Sequence, residues 1–186
     1  MKTDIEHTST QLENLFKHIW EYEEIPSDWE EGLIVKLPKK GDLTKCGNWR
    51  GLTLMSIPAK ILGRAIIMRM RDAVDNILRE EQAGFRPKRG TLEHIFVLRK
   101  IIEQTYEWND NLYMIFIDFL KAFDSIHRET LWKIMEAYGI PGKLINMIKA
   151  LYKNTRVAVI HDKSKTDWFD IKSGVKQGCG MSGFPF

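Results

Sequence analysis

A run of mostly apolar, β-favouring residues, Leu112-Tyr113-Met114-Ile115-Phe116-Ile117, leads directly into a carboxylate, Asp118. Such a run reads as a buried strand. Buried strands rarely end in a charge unless that charge is paired or holds a metal. Past Asp118 the spacing turns helical. Asp124 or Ser125 can cap a helix carrying Ile126, Leu131, Ile134, Met135 and Tyr138. The stretch predicts strand, sharp turn and helix, with Asp118 at the mouth of the turn, where a metal ion can be held against a phosphate. Spacing alone leaves two readings of Asp118 open: metal ligand, or strand-end residue satisfied by backbone N–H groups. Asp124 reads as a helix cap.

The flanking chain alternates helices and strands. Leu12, Leu15, Phe16, Ile19 and Trp20 follow helix spacing behind a Thr8-Ser9-Thr10 cap cluster, and Pro26 ends that helix. Gly32 to Leu37 reads as a strand stopped by Pro38, and Lys39-Lys40-Gly41-Asp42 as a tight turn. Leu52 to Met55 is a short extended piece. Ser56 caps a long helix with Pro58 in its first turn and an apolar stripe of Ile61, Leu62, Ala65, Ile66, Met70, Val74, Ile77 and Leu78. A basic loop, Gln82 to Gly90, precedes a helix capped by Thr91, with Leu92, Ile95, Phe96, Leu98 and Ile102 as burial candidates. Gly139 stops the helix after Asp118, and Pro141 starts another with Leu144, Ile145, Ile148 and Leu151. Thr155–Ile160 and Trp168–Ile171 form a candidate hairpin, and strand 112–117 is expected to pair with one of its arms.

Composition narrows the classes. The two cysteines, Cys46 and Cys179, make neither a zinc cluster nor a disulfide framework, and suit a reducing, intracellular setting. No apolar run reaches membrane-spanning length, and the N-terminus lacks signal-peptide character. Residues 36–100 hold 15 Lys and Arg against 6 Asp and Glu, whereas residues 1–35 hold 2 against 9. A central basic block of this kind points to a polyanion, with nucleic acid the first choice; solvated helix faces are the plainer reading.

Several motifs, in order, resemble one family: the reverse transcriptase domain of non-LTR (LINE-type) retrotransposons. Ile25-Pro26 with Trp29, Leu37-Pro38-Lys39-Lys40-Gly41-Asp42 and Asn48-Trp49-Arg50-Gly51-Leu52-Thr53-Leu54 resemble its N-terminal motifs. Gln82-Ala83-Gly84-Phe85-Arg86 with Thr91 resembles its template-side motif. Phe116-Ile117-Asp118-Phe119-Leu120-Lys121-Ala122-Phe123-Asp124 resembles its first catalytic motif, and Gly174-Val175-Lys176-Gln177-Gly178-Cys179 with Ser182 the motif that follows. Each piece is weak alone, but the ordered set is specific.

The resemblance implies an α/β (α+β) right-hand polymerase: an N-terminal helix over 1–24, a fingers-like region over 25–110, and the first half of a palm over 111–186. It implies an RNA-directed DNA polymerase that adds dNTPs to a DNA primer on an RNA template, with Mg²⁺ as cofactor and Mn²⁺ as an alternative. Asp118 would be a catalytic metal ligand, joined by the Phe119 carbonyl. Lys39, Lys40 and Arg50 would clamp the triphosphate. Phe123 would be the steric gate under the incoming sugar, and Gln177-Gly178 would lie against the new base pair. Gly84, Phe85, Arg86, Lys88 and Arg89 would contact the template. Two departures stand out: Gly180 and Pro185 oppose the helix the family places there, and the second catalytic motif, an aromatic-Ala-Asp-Asp hairpin, is not within residues 1–186. The thumb and upstream endonuclease are likewise outside it. The chain is therefore expected to be inactive alone, a piece of a larger reading frame. The competing expectation is a decayed, non-catalytic nucleic-acid-binding remnant.

Overall fold

The computed structural model describes residues 4–161 and 164–176. Helix α1 spans Ile5–Tyr22, and the Asp4 carboxylate caps it by accepting from the His7 N–H. This corrects the expected Thr8-Ser9-Thr10 cap. Those residues fall inside the helix, where Thr8 and Thr10 instead donate back to the carbonyls of Asp4 and Glu6. A single 3-10 turn, Ser27–Trp29, buries Trp29 and leads into β1, Glu31–Pro38. Strand β2 spans Trp49–Leu54. Helix α2, Ile57–Asp75, is capped by Ser56 with Pro58 in its first turn, as its sequence predicts. Helix α3 is Thr91–Glu107, α4 is Arg128–Ala137 and α5 is Gly142–Tyr152. Strands β3, Arg156–His161, β4, Ser164–Lys165, and β5, Phe169–Asp170, follow.

These strands form one mixed sheet in the order β2-β1-β3-β4, with β5 also on β3. β1 runs antiparallel to β2 and parallel to β3, with Gly32 opposite Val157. The expected hairpin is present: Arg156 faces Asp170 and Val157 faces Phe169. Sheet strands thus come from both the 25–110 and the 111–186 stretches. α1, α2, α4 and α5 build the core together with Trp29 and Val175. Ile19, Ile66, Ile145, Met147 and Leu151 are almost wholly buried. Each such side chain contributes about 1.5–3 kcal/mol by leaving water. Among the described residues, no helix is long and apolar enough to cross a membrane.

The central strand is where the structure departs most from the sequence reading. Residues 111–119 form no strand or helix and pair with no strand among the described residues, and Tyr113, Ile115, Phe116 and Ile117 are 77–89% exposed. The reason lies in the sheet. Either arm of the hairpin was the expected partner, but β1 takes one edge of β3 and β4 and β5 take the other. β5 offers only two residues. Helix α3 also forms without burying any residue, so Leu92, Ile95, Phe96, Leu98 and Ile102 lie partly or largely in solvent. Its N-cap is Gly90 rather than Thr91. The cap of α4 is His127, whose ring accepts from the Thr130 N–H, in place of Asp124 or Ser125. Those two residues belong to the preceding turn, which closes by hydrogen bonds from their N–H groups to the Lys121 carbonyl.

Candidate functional site

Three local structures carry the residues that the sequence singles out. The first is the β1–β2 hairpin. Its connection is a ten-residue loop over 39–48, closed by the Lys39 N–H on the Asn48 carbonyl. Asp42 organises it. Its carboxylate accepts from the Thr44 hydroxyl at 2.7 Å and the Thr44 N–H at 2.9 Å, which hold its pKa below the usual carboxylate value. The Asn48 amide donates to the Asp42 carbonyl, and the Trp49 indole to the Leu43 carbonyl. Lys39 donates to the Gly47 carbonyl, Lys40 is exposed, and Arg50 faces Leu37 across the ladder. Lys36, two residues before the loop's end of β1, sits over the Trp49 ring at 4.8 Å. The sequence-predicted cations Lys39, Lys40 and Arg50 are therefore on one braced hairpin.

The second is the loop between α2 and α3. Arg86 points inward. Its Nε bonds Asp75 Oδ1 at 2.7 Å, Nη1 bonds the Arg79 and Gln82 carbonyls, and Nη2 bonds the Asp75 carbonyl. The Arg86 side chain is 5% exposed. The hydrogen bond to Asp75 raises its pKa, and the same bond lowers that of Asp75. Arg86 thus braces the loop. Lys88 and Arg89 lie on its outside, with Arg89 donating to the Glu80 carbonyl. Gly84 is exposed, and Phe85 takes a left-handed backbone (φ 59°). The Phe85 ring meets Phe123 edge-on, with centroids 6.2 Å apart. The loop after α2 and the turn after Asp118 thus touch through two phenylalanines.

The third is the joint between the turn after Asp118 and the segment 173–176. Val175 N–H donates to the Phe123 carbonyl at 2.8 Å, and Gly174 N–H to the Ile126 carbonyl at 2.8 Å. Gly174 has φ +73°, and a Cβ there would lie 2.7–2.8 Å from backbone atoms of Phe123 and Asp124. Only glycine fits this approach. Two stretches some fifty residues apart in sequence are thereby fastened backbone to backbone. Phe123 is half-buried and packs on the core. Asp118 and Phe119 are exposed and lie outside any strand or helix. Gln177 and Gly178 fall outside the described residues.

The donor set bears on a metal. Among the described residues, no three His, Cys, Asp or Glu side chains cluster as a metal site. Asp118 supplies one carboxylate, which fits a single ligand of a hydrated Mg²⁺ and does not make a two-metal centre. Sequence reasoning missed Asp75, the partner of Arg86, and the structural cations Arg128 and Lys176. Their contacts are 11 to 147 residues distant, so no spacing rule reveals them.

Comparison with known proteins agrees with the motif order. The family described as "Reverse transcriptase (RNA-dependent DNA polymerase)" matches residues 37–186. The chain is 28% identical over 160 residues to the transposon TX1 uncharacterized 149 kDa protein of Xenopus laevis, covering 86% of this chain and 12% of that protein. It is 29% identical over 163 residues to a retrovirus-related Pol polyprotein from a type-1 retrotransposable element R2 of Popillia japonica, covering 87% and 23%. It is 27% identical over 157 residues to a probable RNA-directed DNA polymerase from transposon BS of Drosophila melanogaster, covering 82% and 17%. The chain spans less than a quarter of each of these relatives.

Proposed function

This chain belongs to the reverse transcriptase (RNA-dependent DNA polymerase) family, and from that premise we propose that it is the fingers and first palm part of an RNA-directed DNA polymerase of a non-LTR retrotransposon, acting inside the cell. Its partners are an RNA template, a DNA primer and dNTPs. One observation supports the reading above the rest: the Phe123–Asp124 turn and the Gly174–Lys176 segment, which resemble successive catalytic motifs, share backbone hydrogen bonds.

In this reading the Phe123 ring, backed by Phe85 and the core, occupies the space a 2′-hydroxyl would need and favours dNTPs over rNTPs. Discrimination of this type is a ratio of kcat/KM values. Lys39, Lys40 and Arg50 hold the triphosphate, where cations offset charge that develops during transfer. Gln177-Gly178 follows the fastened segment and lies against the new pair. Gly84, Phe85, Lys88 and Arg89 take the template, with phosphate contacts that position without reading sequence. Arg86 serves that surface by shaping its loop. Asp118 and the Phe119 carbonyl would hold Mg²⁺ or Mn²⁺, which lowers the charge barrier to phosphoryl transfer when bound.

The test is RNA-templated primer extension by a reading frame that contains this chain. Asp118→Asn is expected to lower extension by roughly a hundredfold or more, the scale seen when a group that stabilises transition-state charge is lost. Extension that is indifferent to Asp118→Asn would refute the assignment. That no three His, Cys, Asp or Glu side chains cluster as a metal site among the described residues favours a second reading, a remnant that binds nucleic acid without Mg²⁺. RNA binding unchanged by EDTA, with no extension by the full frame, would establish that reading instead.

A further inference from the structure

Residues 173–176 are held by two cations as well as by the backbone joint. Arg128, the first residue of α4, sends Nε to the Gly174 carbonyl at 2.9 Å, Nη1 to the Tyr152 carbonyl at 3.1 Å and Nη2 to the Ser173 carbonyl at 3.4 Å. The Lys176 ammonium donates to the carbonyls of Leu151 at 3.1 Å and Trp29 at 3.4 Å. Leu151 and Tyr152 end α5, where carbonyls lack helical partners and the dipole is negative. Both cations also stand over the Tyr152 ring, at 5.1 and 5.8 Å from its centroid.

The geometry points to Arg128 as a positioning residue of the nucleotide site. Its planar fork gathers carbonyls from segment 173–174 and from the end of α5 at once, which a single-point ammonium cannot reproduce. Together with Lys176 it fixes segment 173–176 against the turn that carries Phe123. Gly174 completes the lock, since its close seat on Phe123 and Asp124 leaves no room for a side chain. The consequence is that the Phe123 turn and segment 173–176 keep one spacing. This inference rests on the proposed nucleotide role of those residues. It goes further by assigning their alignment to a residue that contacts neither nucleotide nor metal.

Two measurements test it. In the 186-residue chain, Arg128→Met should raise amide exchange at Gly174 and Val175 by tenfold or more, while β1 and β2 keep their protection. Unchanged exchange at these two amides overturns the inference. If Arg128→Met loosens the whole chain, Gly174→Ala decides on the same readout. In the polymerase that contains this segment, Arg128→Met should raise the KM for dNTP about tenfold and leave the primer–template affinity unchanged. A fall in kcat with KM for dNTP unaltered would mean only less folded enzyme, and overturns it. Phe123→Val separates the two levels. If that variant leaves the dNTP-to-rNTP ratio unmoved, the gate reading fails, and the positioning role fails with it whatever the exchange data show.

Discussion

Helices α2 and α3 have nearly the same length and both place apolar side chains at helical spacing, yet the molecule treats them oppositely. α2 buries Ala59, Leu62, Gly63, Ile66, Ile67, Met70 and Val74, and α3 buries nothing. The same contrast separates β1, paired on both edges, from the run 111–119, which pairs with no strand among the described residues. Periodicity announces that a face is built for contact. Whether the contact forms depends on a surface that the element itself does not encode. Residues 57–75 find α1 and α5 in the same core, whereas residues 91–120 find no such surface among the described residues.

The largest expected effect follows directly. Ile66→Ala should cost about 2–5 kcal/mol in chemical denaturation, the usual cost of truncating a well-packed core side chain. Ile95→Ala on α3, where the side chain is 59% exposed, should stay within about 0.5 kcal/mol. Equal costs at the two positions would erase the contrast and mean that α3 is packed in solution.

The fold was legible wherever local chemistry decided the outcome. Ser56 and Pro58 start α2, Gly139 (φ 72°) stops α4, and the hairpin of β3 with β5 follows from two β-favouring runs around a polar turn. It was illegible where the decision was non-local. The run 112–117 looked like a central strand because it has the composition of one. Pairing, however, depended on β3, whose edges were already taken by strands up to 125 residues away in sequence. Of the site, the motif positions were readable, but the joint of Phe123 with Gly174 was not, because its hydrogen bonds link stretches some fifty residues apart. The resemblance of Gln82 to Arg86 to a template-side motif implied that Arg86 contacts the template. Its actual partners, Asp75 and three carbonyls of the preceding turn, are visible only in three dimensions.

A second prediction concerns the exposed run itself. Apolar, exposed and outside the sheet among the described residues, Tyr113 to Ile117 offers an apolar patch to other chains. Ile115→Lys with Ile117→Lys should raise the concentration at which light scattering sets in by several-fold, with little change in the unfolding midpoint. A drop in midpoint like that of Ile66→Ala would show that the run is buried in solution.

Within the loop after α2 the same inward–outward division sorts the arginines. Lys88→Ala and Arg89→Ala should each weaken RNA binding and lower the slope of log K against log salt by roughly 0.7 to 0.9, as lost phosphate contacts do. Arg86→Ala should lower thermal stability first, because it strips the loop of its brace. A stability loss at Lys88 that exceeds the one at Arg86 would reverse the assignment.

The smallest effect sets one ion pair on α2 against one on α3. Asp75 has its pKa lowered chiefly by the hydrogen bond from Arg86, partly offset by desolvation. Glu103 on α3 has its pKa lowered by hydrogen bonds from Lys100 and then Arg99. A carboxylate whose folded pKa lies below its unfolded value stabilises the fold above the unfolded value, about 3.9 for Asp and 4.3 for Glu, and the contribution is lost as pH falls through the folded pKa. The midpoint gap between parent and Asp75→Asn should therefore be flat from neutral pH down to about 5 and close below about 4. Glu103→Gln should follow the same sign in low salt. Salt then separates them. The cations beside Glu103 are 77% and 56% exposed, so their attraction is screened, while the Arg86 side chain is 5% exposed and its four hydrogen-bond partners hold it in place. Raising salt to about 1 M, where the Debye length falls to roughly 3 Å, should abolish the Glu103→Gln gap and leave most of the Asp75→Asn gap. If both gaps vanish together, Arg86 is as solvated as the α3 pair, and the loop it is said to brace is open.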